Sequence, residues 1–235
     1  MPNHIQNRLR IIASEEKVKE VLTFLCGENK EGEKLTIDFN KIKPMPETLN
    51  IESGSEGSKS HFMLFGNSKG NHWHQPIEDV QSYLLQMTPE KRLAFVQLGL
   101  QYQENKEKYG HTTWYGWAVD NWGTKWNAYN IPDERDSDDT IFFQTAWSAP
   151  VALMKELSKK FPEVTIQFDY SDEDSSSNTG IVTIEDGEIT DSNFPDSGST
   201  EGYELYFELH PGSEEYYEFV DGEYRYNEEE YESED

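Results

Sequence analysis

The chain is short of cysteine, of long apolar runs and, past its midpoint, of cations, and each shortage excludes something. A single cysteine, Cys26, among 235 residues rules out an internal disulfide and fits a reducing compartment, so a cytoplasmic location is expected. Its setting, VLTFLCGEN, reads as the end of an amphipathic helix and predicts a buried structural thiol. No apolar run approaches the ~20 residues that span a bilayer. The opening MPNHIQNRLRII lacks the basic, apolar and small-residue regions of a secretory signal. Neither a phosphate-cradling glycine loop nor a serine nucleophile elbow occurs. No internal repeat is evident.

The cation shortage is local. Residues 1–132 hold 15 Lys/Arg against 16 Asp/Glu, whereas residues 133–235 hold 5 against 30, so the second half carries −25 of the total −26. Folding does not require such segregation, because like charges on one surface repel. It argues against ordinary nucleic-acid binding, which needs Lys and Arg to displace counterions from phosphates, and against anionic membranes. It leaves a basic protein surface, a cation, or passive solvation.

What is abundant is aromatic: 6 Trp, 13 Tyr and 12 Phe. HIQNRLRIIA alternates, with Ile5, Leu9 and Ile11 on one side, and predicts a strand. Ser14, Glu15 and Glu16 open a helix whose stripe is Val18, Val21, Leu22 and Leu25, ending at Gly27. KLTIDFNKI alternates through Leu35, Ile37 and Phe39, so a β-α-β unit with parallel strands is expected. Residues 47–60 read as a Ser/Gly/Glu-rich loop and HFMLFG as a short strand. Helices follow over Pro76–Met87 and from Thr88–Pro89 to Gly110. TIFFQTAW predicts a strand, PVALMKELSKKF a helix and VTIQFDY a strand. IVTIEDGEIT predicts a strand with an Asp-Gly turn, YELYFELH another strand, and YYEFV-DG-EYRY a last hairpin. The organisation expected is residues 1–110 as β-α-β plus a helical pair, 111–211 as a second portion with a Trp-rich junction, and 212–235 as an acidic aromatic tail.

Residues that carry chemistry are few. Trp114, Trp117, Trp122 and Trp126, with Lys125 and later Trp147, form either a structural keystone or a stacking platform. His72 and His74, flanked by His61 and His111, alternate like zinc ligands but lack companion cysteines or an HExxH helix. YSDEDSSSNTG fails the EF-hand spacing and reads as a solvated hairpin loop. No catalytic residue, metal or cofactor is assigned. The acids singled out for partner binding are Asp133, Glu134, Asp136, Asp138 and Asp139 in one loop, and Glu214, Glu215, Glu218, Asp221 and Glu223 near the end.

Several of these segments together resemble a known family. NHIQNRLRI, DFNKIKPMPETL, WYGWAVDNWGTKWNAYN and TIFFQTAWSAPVALMKELSKKFPEVTIQFDY are similar to the YubB-like proteins of plasmids and phages, NWGTKW and TAWS-x-P being the specific elements. The chain departs from the family after Tyr170, where SDEDSSSNTG replaces a glutamate-and-glycine stretch. The resemblance implies an α+β fold in which a ferredoxin-like carboxy-terminal portion packs on an amino-terminal β-α-β and helical portion. It also implies a mobile-element setting, and no site residue comes with it.

The function expected is therefore a non-catalytic, acidic accessory protein of a phage or plasmid. Its partner is expected to be the basic surface of a host nucleic-acid-handling or defence protein, met by mimicry of nucleic acid, with no direct nucleic-acid or membrane binding. Two alternatives stay open. One is a small-ligand binder or enzyme using the Trp cluster with His111 or His74. The other is a nucleotide or single-strand binder on an open sheet face.

Overall fold

The computed structural model describes residues 3–28, 32–66 and 80–227. In chain order they form β1 (His4–Ile12), α1 (Glu15–Leu25), β2 (Gly27–Glu28), β3 (Lys34–Leu35), α2 (Phe39–Ile42) and α3 (Ser55–Phe65). α4 (Val80–Leu85), α5 (Pro89–Tyr109), α6 (Trp114–Trp122), β4 (Thr140–Ala146) and α7 (Val151–Lys160) follow. β5 (Thr165–Asp172), β6 (Gly180–Glu185), β7 (Glu188–Asn193), α8 (Thr200–Leu209), β8 (Tyr217–Val220) and β9 (Glu223–Tyr226) complete the chain. They fall into two compact units, residues 1–44 with 121–235, and residues 45–120. That partition differs from boundaries after residues 110 and 211. Among the described residues no helix is long and apolar enough to cross a membrane.

The first unit is an α+β structure on a five-stranded antiparallel sheet of order β4-β1-β5-β6-β7. β1 is antiparallel to both neighbours, pairing Leu9 with Ile141 on one edge and with Phe168 on the other. β4 and β5 therefore run parallel to each other, and α7 makes the crossover of a split β-α-β with β1 inserted. The expected parallel pairing of the first two strands does not form, because both edges of β1 are already taken. KLTIDFNKI keeps only Lys34–Leu35 as strand. Asp38 then caps a helical turn, its Oδ1 accepting the Asn40 N–H at 3.0 Å, and this local bond overrides the alternation.

Alternation divides the sheet into two faces. Ile5, Leu9, Ile11, Phe143, Ile166, Phe168, Val182 and Ile184 form one, each at most 1% exposed. It is covered by Val18, Val21 and Leu25 of α1 and by Leu153, Met154 and Leu157 of α7. Each such side chain contributes about 1.5–3 kcal/mol by leaving water. On the opposite face Phe142 and Ile181 pack under Leu205 and Leu209 of α8. Beside them Arg8 Nε donates to Asp169 Oδ2 at 2.7 Å, and Arg8 Nη2 to Glu208 Oε2 at 3.0 Å.

YELYFELH is thus a helix, not a strand. Gly202, Leu205, Tyr206 and Leu209 are its buried positions, a helical spacing, and the Ser199 hydroxyl accepts the Gly202 N–H at 3.1 Å as N-cap. Both Asp-Gly turns form as expected. Asp186 and Gly187 have φ of 47° and 77°, and Asp221 and Gly222 have 55° and 89°, the left-handed pair a tight hairpin needs.

In the second unit, residues 47–60 and HFMLFG supply a 3-10 turn (Glu47–Leu49) and α3, not a loop and a strand. Its small residues serve close approach. A Cβ on Gly57 would sit 2.3 Å from Tyr102 Cζ, and Ser60 Oγ donates to the Phe95 carbonyl of α5. α5 begins as expected at its Thr88 cap and ends at Gly110, with φ of 79°; Phe95 and Tyr102 are buried but Leu93 and Leu100 stay exposed. Cys26 is exposed rather than buried. It lies one residue past α1, its Sγ donating to the Leu22 carbonyl at 3.2 Å.

Two outcomes test this architecture. A fragment of residues 121–235, lacking β1, should melt without a cooperative transition by circular dichroism, whereas the full chain unfolds cooperatively; a cooperative fragment would show that the sheet closes without β1. Arg8→Met strands the Asp169 carboxylate, and should cost about 3–5 kcal/mol in urea unfolding.

Candidate functional site

Among the described residues the acids of the loop and the tail do different things. Of the loop acids, Asp133 is held by Arg135 through Nε at 2.8 Å and Nη2 at 2.7 Å, which lowers its pKa. Asp136 accepts the Phe142 N–H at 2.7 Å and the Asp133 N–H at 3.2 Å. Asp139 accepts from Thr140 Oγ1 at 2.7 Å and from Arg10 Nε at 3.2 Å, bonds that lower its pKa. These three are cap and ion-pair residues of the loop's own fold. Glu134 and Asp138 are exposed.

The loop's two ends face different hollows. Asp138 and Asp139 line one of about 780 Å³ together with Arg10, Val18, Leu22 and Cys26. Asp133 and Glu134 line an open cleft of about 1050 Å³, whose other wall is the end of α8 and the 3-10 turn Ser213–Tyr216, including His210, Glu215 and Tyr216. The fold thereby joins part of the loop to part of the acidic tail. Glu214 accepts the Gly212 N–H at 2.8 Å, and Glu218 accepts from Asn227 Nδ2 at 3.3 Å. Glu215, Glu218, Asp221 and Glu223 are exposed along this turn and the β8–β9 hairpin. The tail from 228 lies outside the described residues.

Sequence reasoning missed two components of that cleft. Arg135 spans it, donating Nη1 to the Leu209 carbonyl at 2.9 Å and lying 4.3 Å from the Phe142 ring. His210 stacks on Tyr206 with ring centroids 4.5 Å apart. Burial lowers its pKa, and Arg135 adds to that, while the Ser171 backbone, Asp172 and Glu173 work in the opposite direction. A histidine after an apolar helix carries no sequence signal for this, because its partners come from β5 and a loop some 75 positions away in the case of Arg135, as the separation of 74 to Leu209 shows.

The tryptophans divide. Trp114 and Trp117 lie in the unit of residues 45–120, and Trp122, Trp126 and Trp147 in the other. Trp117 and Trp122 are buried, 6% and 4% exposed. Trp122 Nε1 donates to the Lys43 carbonyl at 2.9 Å, and its ring meets Phe39 edge-on at 5.8 Å. Trp147 behaves differently: it is 43% exposed with φ of 74°. That left-handed conformation costs a non-glycine residue about 1–2 kcal/mol and persists where surrounding bonds over-determine it. Here the Trp147 N–H donates to the Asn3 carbonyl at 2.9 Å. Thr145 Oγ1 donates to the Ser148 carbonyl at 2.9 Å and accepts from Asn7 Nδ2 at 3.0 Å. Thr124 Oγ1 holds the Ala146 carbonyl at 2.8 Å. Lys125 Nζ sits between two indoles, 4.4 Å from the Trp126 centroid and 4.5 Å from that of Trp147.

Among the described residues the histidines do not assemble. His72 and His74 lie outside the described residues. His61 Nε2 pairs with Gln103 Oε1 at 2.7 Å and His111 Nε2 with Asp120 at 3.6 Å. No metal-ligating group of three is found among the described residues. In the segment after Tyr170, Ser171, Asp172, Ser176 and Thr179 are buried, so this loop is packed rather than solvated.

Residues 122–232 match the family model described as a ferredoxin-like domain in Api92-like protein, and this part of the chain is a ferredoxin-like domain. No curated protein matches the chain. Among solved structures, a crystal structure of protein api92 from Yersinia pseudotuberculosis is similar over 84% of this chain and 99% of that one, with 14% identity and a TM-score of 0.40.

His210 gives this region a pH signature. A depressed folded pKa means that the unfolded chain binds the proton first, so stability is present above the ordinary histidine pKa and is lost as pH falls through that value toward the folded one. The urea midpoint should drop between pH 7 and pH 5, and His210→Gln should narrow that gap. An unchanged gap would assign the slope to other groups.

Proposed function

We propose that this protein is a non-catalytic acidic binding protein that docks on the basic surface of another protein. In the mobile-element setting suggested by the YubB-like resemblance, that partner is a host nucleic-acid-handling or defence protein, met by carboxylates in place of phosphates. The observation that carries the reading is the open cleft whose lining brings Glu134 of the loop and Glu215 of the turn together, Asp133 there being already paired with Arg135, within a half-chain of net −25. Nothing in folding demands that residues 80 positions apart in sequence bring like charges to one rim, where repulsion must be borne. A cationic partner relieves that repulsion on binding, and gains in association rate as well as affinity.

The mimicry rests on fewer groups than the sequence offers. Asp133, Asp136 and Asp139 are spent on Arg135, backbone N–H groups and Arg10. Glu134, Asp138, Glu214, Glu215, Glu218, Asp221 and Glu223 are the exposed carboxylates that remain of the ten. The alternative, a small-ligand site at the tryptophans, is supported by one feature alone, the exposed Trp147 with Lys125 at its face.

The test is capture from a host lysate by the full chain and by a variant carrying Glu134→Gln, Asp138→Asn, Glu215→Gln, Glu218→Gln, Asp221→Asn and Glu223→Gln. A nucleic-acid-binding protein held at low salt by the native chain alone, and released near physiological salt where screening acts within about 8 Å, is the expected result. Equal capture by both forms would make the charge a solvation device and remove the docking reading.

A further inference from the structure

The acidic cleft has two polar groups at its floor that the charge of its rim does not explain. Gln6 pairs with Gln144 of β4 on one side and with Ser171 of β5 on the other, and only 5% of it is exposed. Its Oε1 accepts from Gln144 Nε2 at 3.3 Å, and Gln144 Oε1 in turn accepts from Asn130 Nδ2. This relay sets the orientation of the Gln6 amide. Its nitrogen, a donor, is left buried and without a partner. His210 meets the same place from the end of α8. Its ring interacts with the Ser171 backbone in the sense that raises its pKa, as a carbonyl accepting a ring proton does. His210 Nε2 is buried and without a partner, so that proton is on Nδ1 and the neutral ring offers Nε2 as an acceptor. Gln6 and His210 line the cleft together with the exposed Glu134 and Glu215. The cation of that lining, Arg135, is already paired with Asp133 and bonded to the Leu209 carbonyl.

We propose that this cleft binds an extended peptide segment bearing Lys or Arg, with Gln6 Nε2 donating to a backbone carbonyl, His210 Nε2 accepting a backbone N–H, and Glu134 and Glu215 meeting the cationic side chains. The inference rests on the reading that the partner is basic, and it names which part of the partner is held and by which groups. A residue of an extended chain presents its N–H and C=O to the same side, as in an antiparallel pair. A peptide backbone therefore brings the missing donor and the missing acceptor together. A simple ion satisfies only part of the set. A metal cation could use His210 Nε2 and the carboxylates but not the Gln6 donor, and no metal-ligating group of three occurs among the described residues. A phosphate could take the Gln6 proton but would meet Asp133, Glu134 and Glu215 at the same cleft. The volume of about 1050 Å³ lies at the top of the range for small-ligand clefts, more than one side chain fills. A buried donor and a buried acceptor left open carry a desolvation cost that an occupant's own polar groups remove. Both nitrogens are closed to water in the resting cleft, so binding includes a side-chain adjustment at its floor, of a kind common at interfaces.

The experiment titrates three probes into the full chain by calorimetry at low salt. They are acetylated and amidated tetralysine, the same peptide N-methylated at its backbone amides, and spermine, a polyamine of equal charge with no amide. Tetralysine should bind about twentyfold tighter than spermine, the scale of two net hydrogen bonds, and N-methylation should remove about fivefold, the scale of one. Gln6→Met, its folding verified by thermal melt, should lower tetralysine affinity about fivefold and leave spermine unchanged. Glu134→Gln with Glu215→Gln should weaken all three probes. Where Gln6→Met melts early, the comparison of probes on the native chain decides alone. Equal affinity for all three probes, lost in the variant of six substitutions, would overturn the backbone site and leave the basic-partner reading standing. Native tetralysine affinity in a folded Gln6→Met would overturn it in the same way. No binding of any probe at low salt would overturn both.

Discussion

The first unit depends on β1 being paired along both edges. A strand at the amino terminus runs between β4 and β5, separated from them by well over a hundred positions, as in the pairings of His4 with Ala146 and Ile5 with Asp172. Remove it and β4 has no neighbour but the single bridge from Tyr129 to Gln144, while β5 loses one ladder and the core face loses Ile5, Leu9 and Ile11. The segment 122–232 that matches the ferredoxin-like family model thus lacks one interior strand of its sheet, the one between β4 and β5. The chain must close this loop across residues 45–120, which form a compact unit of their own. Closure of a long loop costs only a little more than closure of a short one, so the arrangement is slow to form rather than unstable.

What the sequence made legible follows from how local each determinant is. β1, α1, β4, α7, β5 and the two Asp-Gly hairpins were readable because their periodicity and turn residues lie within the element itself. Asp186-Gly187 and Asp221-Gly222 adopt left-handed conformations at little steric cost. YELYFELH was misread because Tyr203, Leu205 and Phe207 also alternate; only a helix explains why Gly202, Leu205, Tyr206 and Leu209 are the buried set. Gly57 and Ser60 looked like loop residues because small side chains signal both looseness and close packing, and only Tyr102 and Phe95 across α5 decide between them. The site was less legible for the same reason. Charge segregation could be counted, but that Arg135 neutralises Asp133, or that Glu215 reaches the loop's cleft, depends on contacts between distant positions.

Charge on this chain therefore has two kinds of work, and composition cannot separate them. Asp136 and Asp139 are fold residues: one receives a backbone N–H of β4, the other ties the same strand's first residue to Arg10. Asp169 is the extreme case, 0% exposed and raised in pKa by burial in spite of Arg8. A pair so placed yields little net stability, since desolvation offsets most of the attraction. Its effect is positional instead: Arg8 bridges Asp169 on β5 and Glu208 on α8, fixing where the helix lies on the sheet.

That placement of α8 also bears on what the sheet can bind. Ferredoxin-like sheets that stack nucleobases do so on a face left open to solvent. Here the face opposite α1 and α7 carries Arg8, Phe142, Asp169 and Ile181 and lies under Leu205 and Leu209. A base could stack there only by lifting α8, which would strand the Asp169 carboxylate and expose Phe142 together.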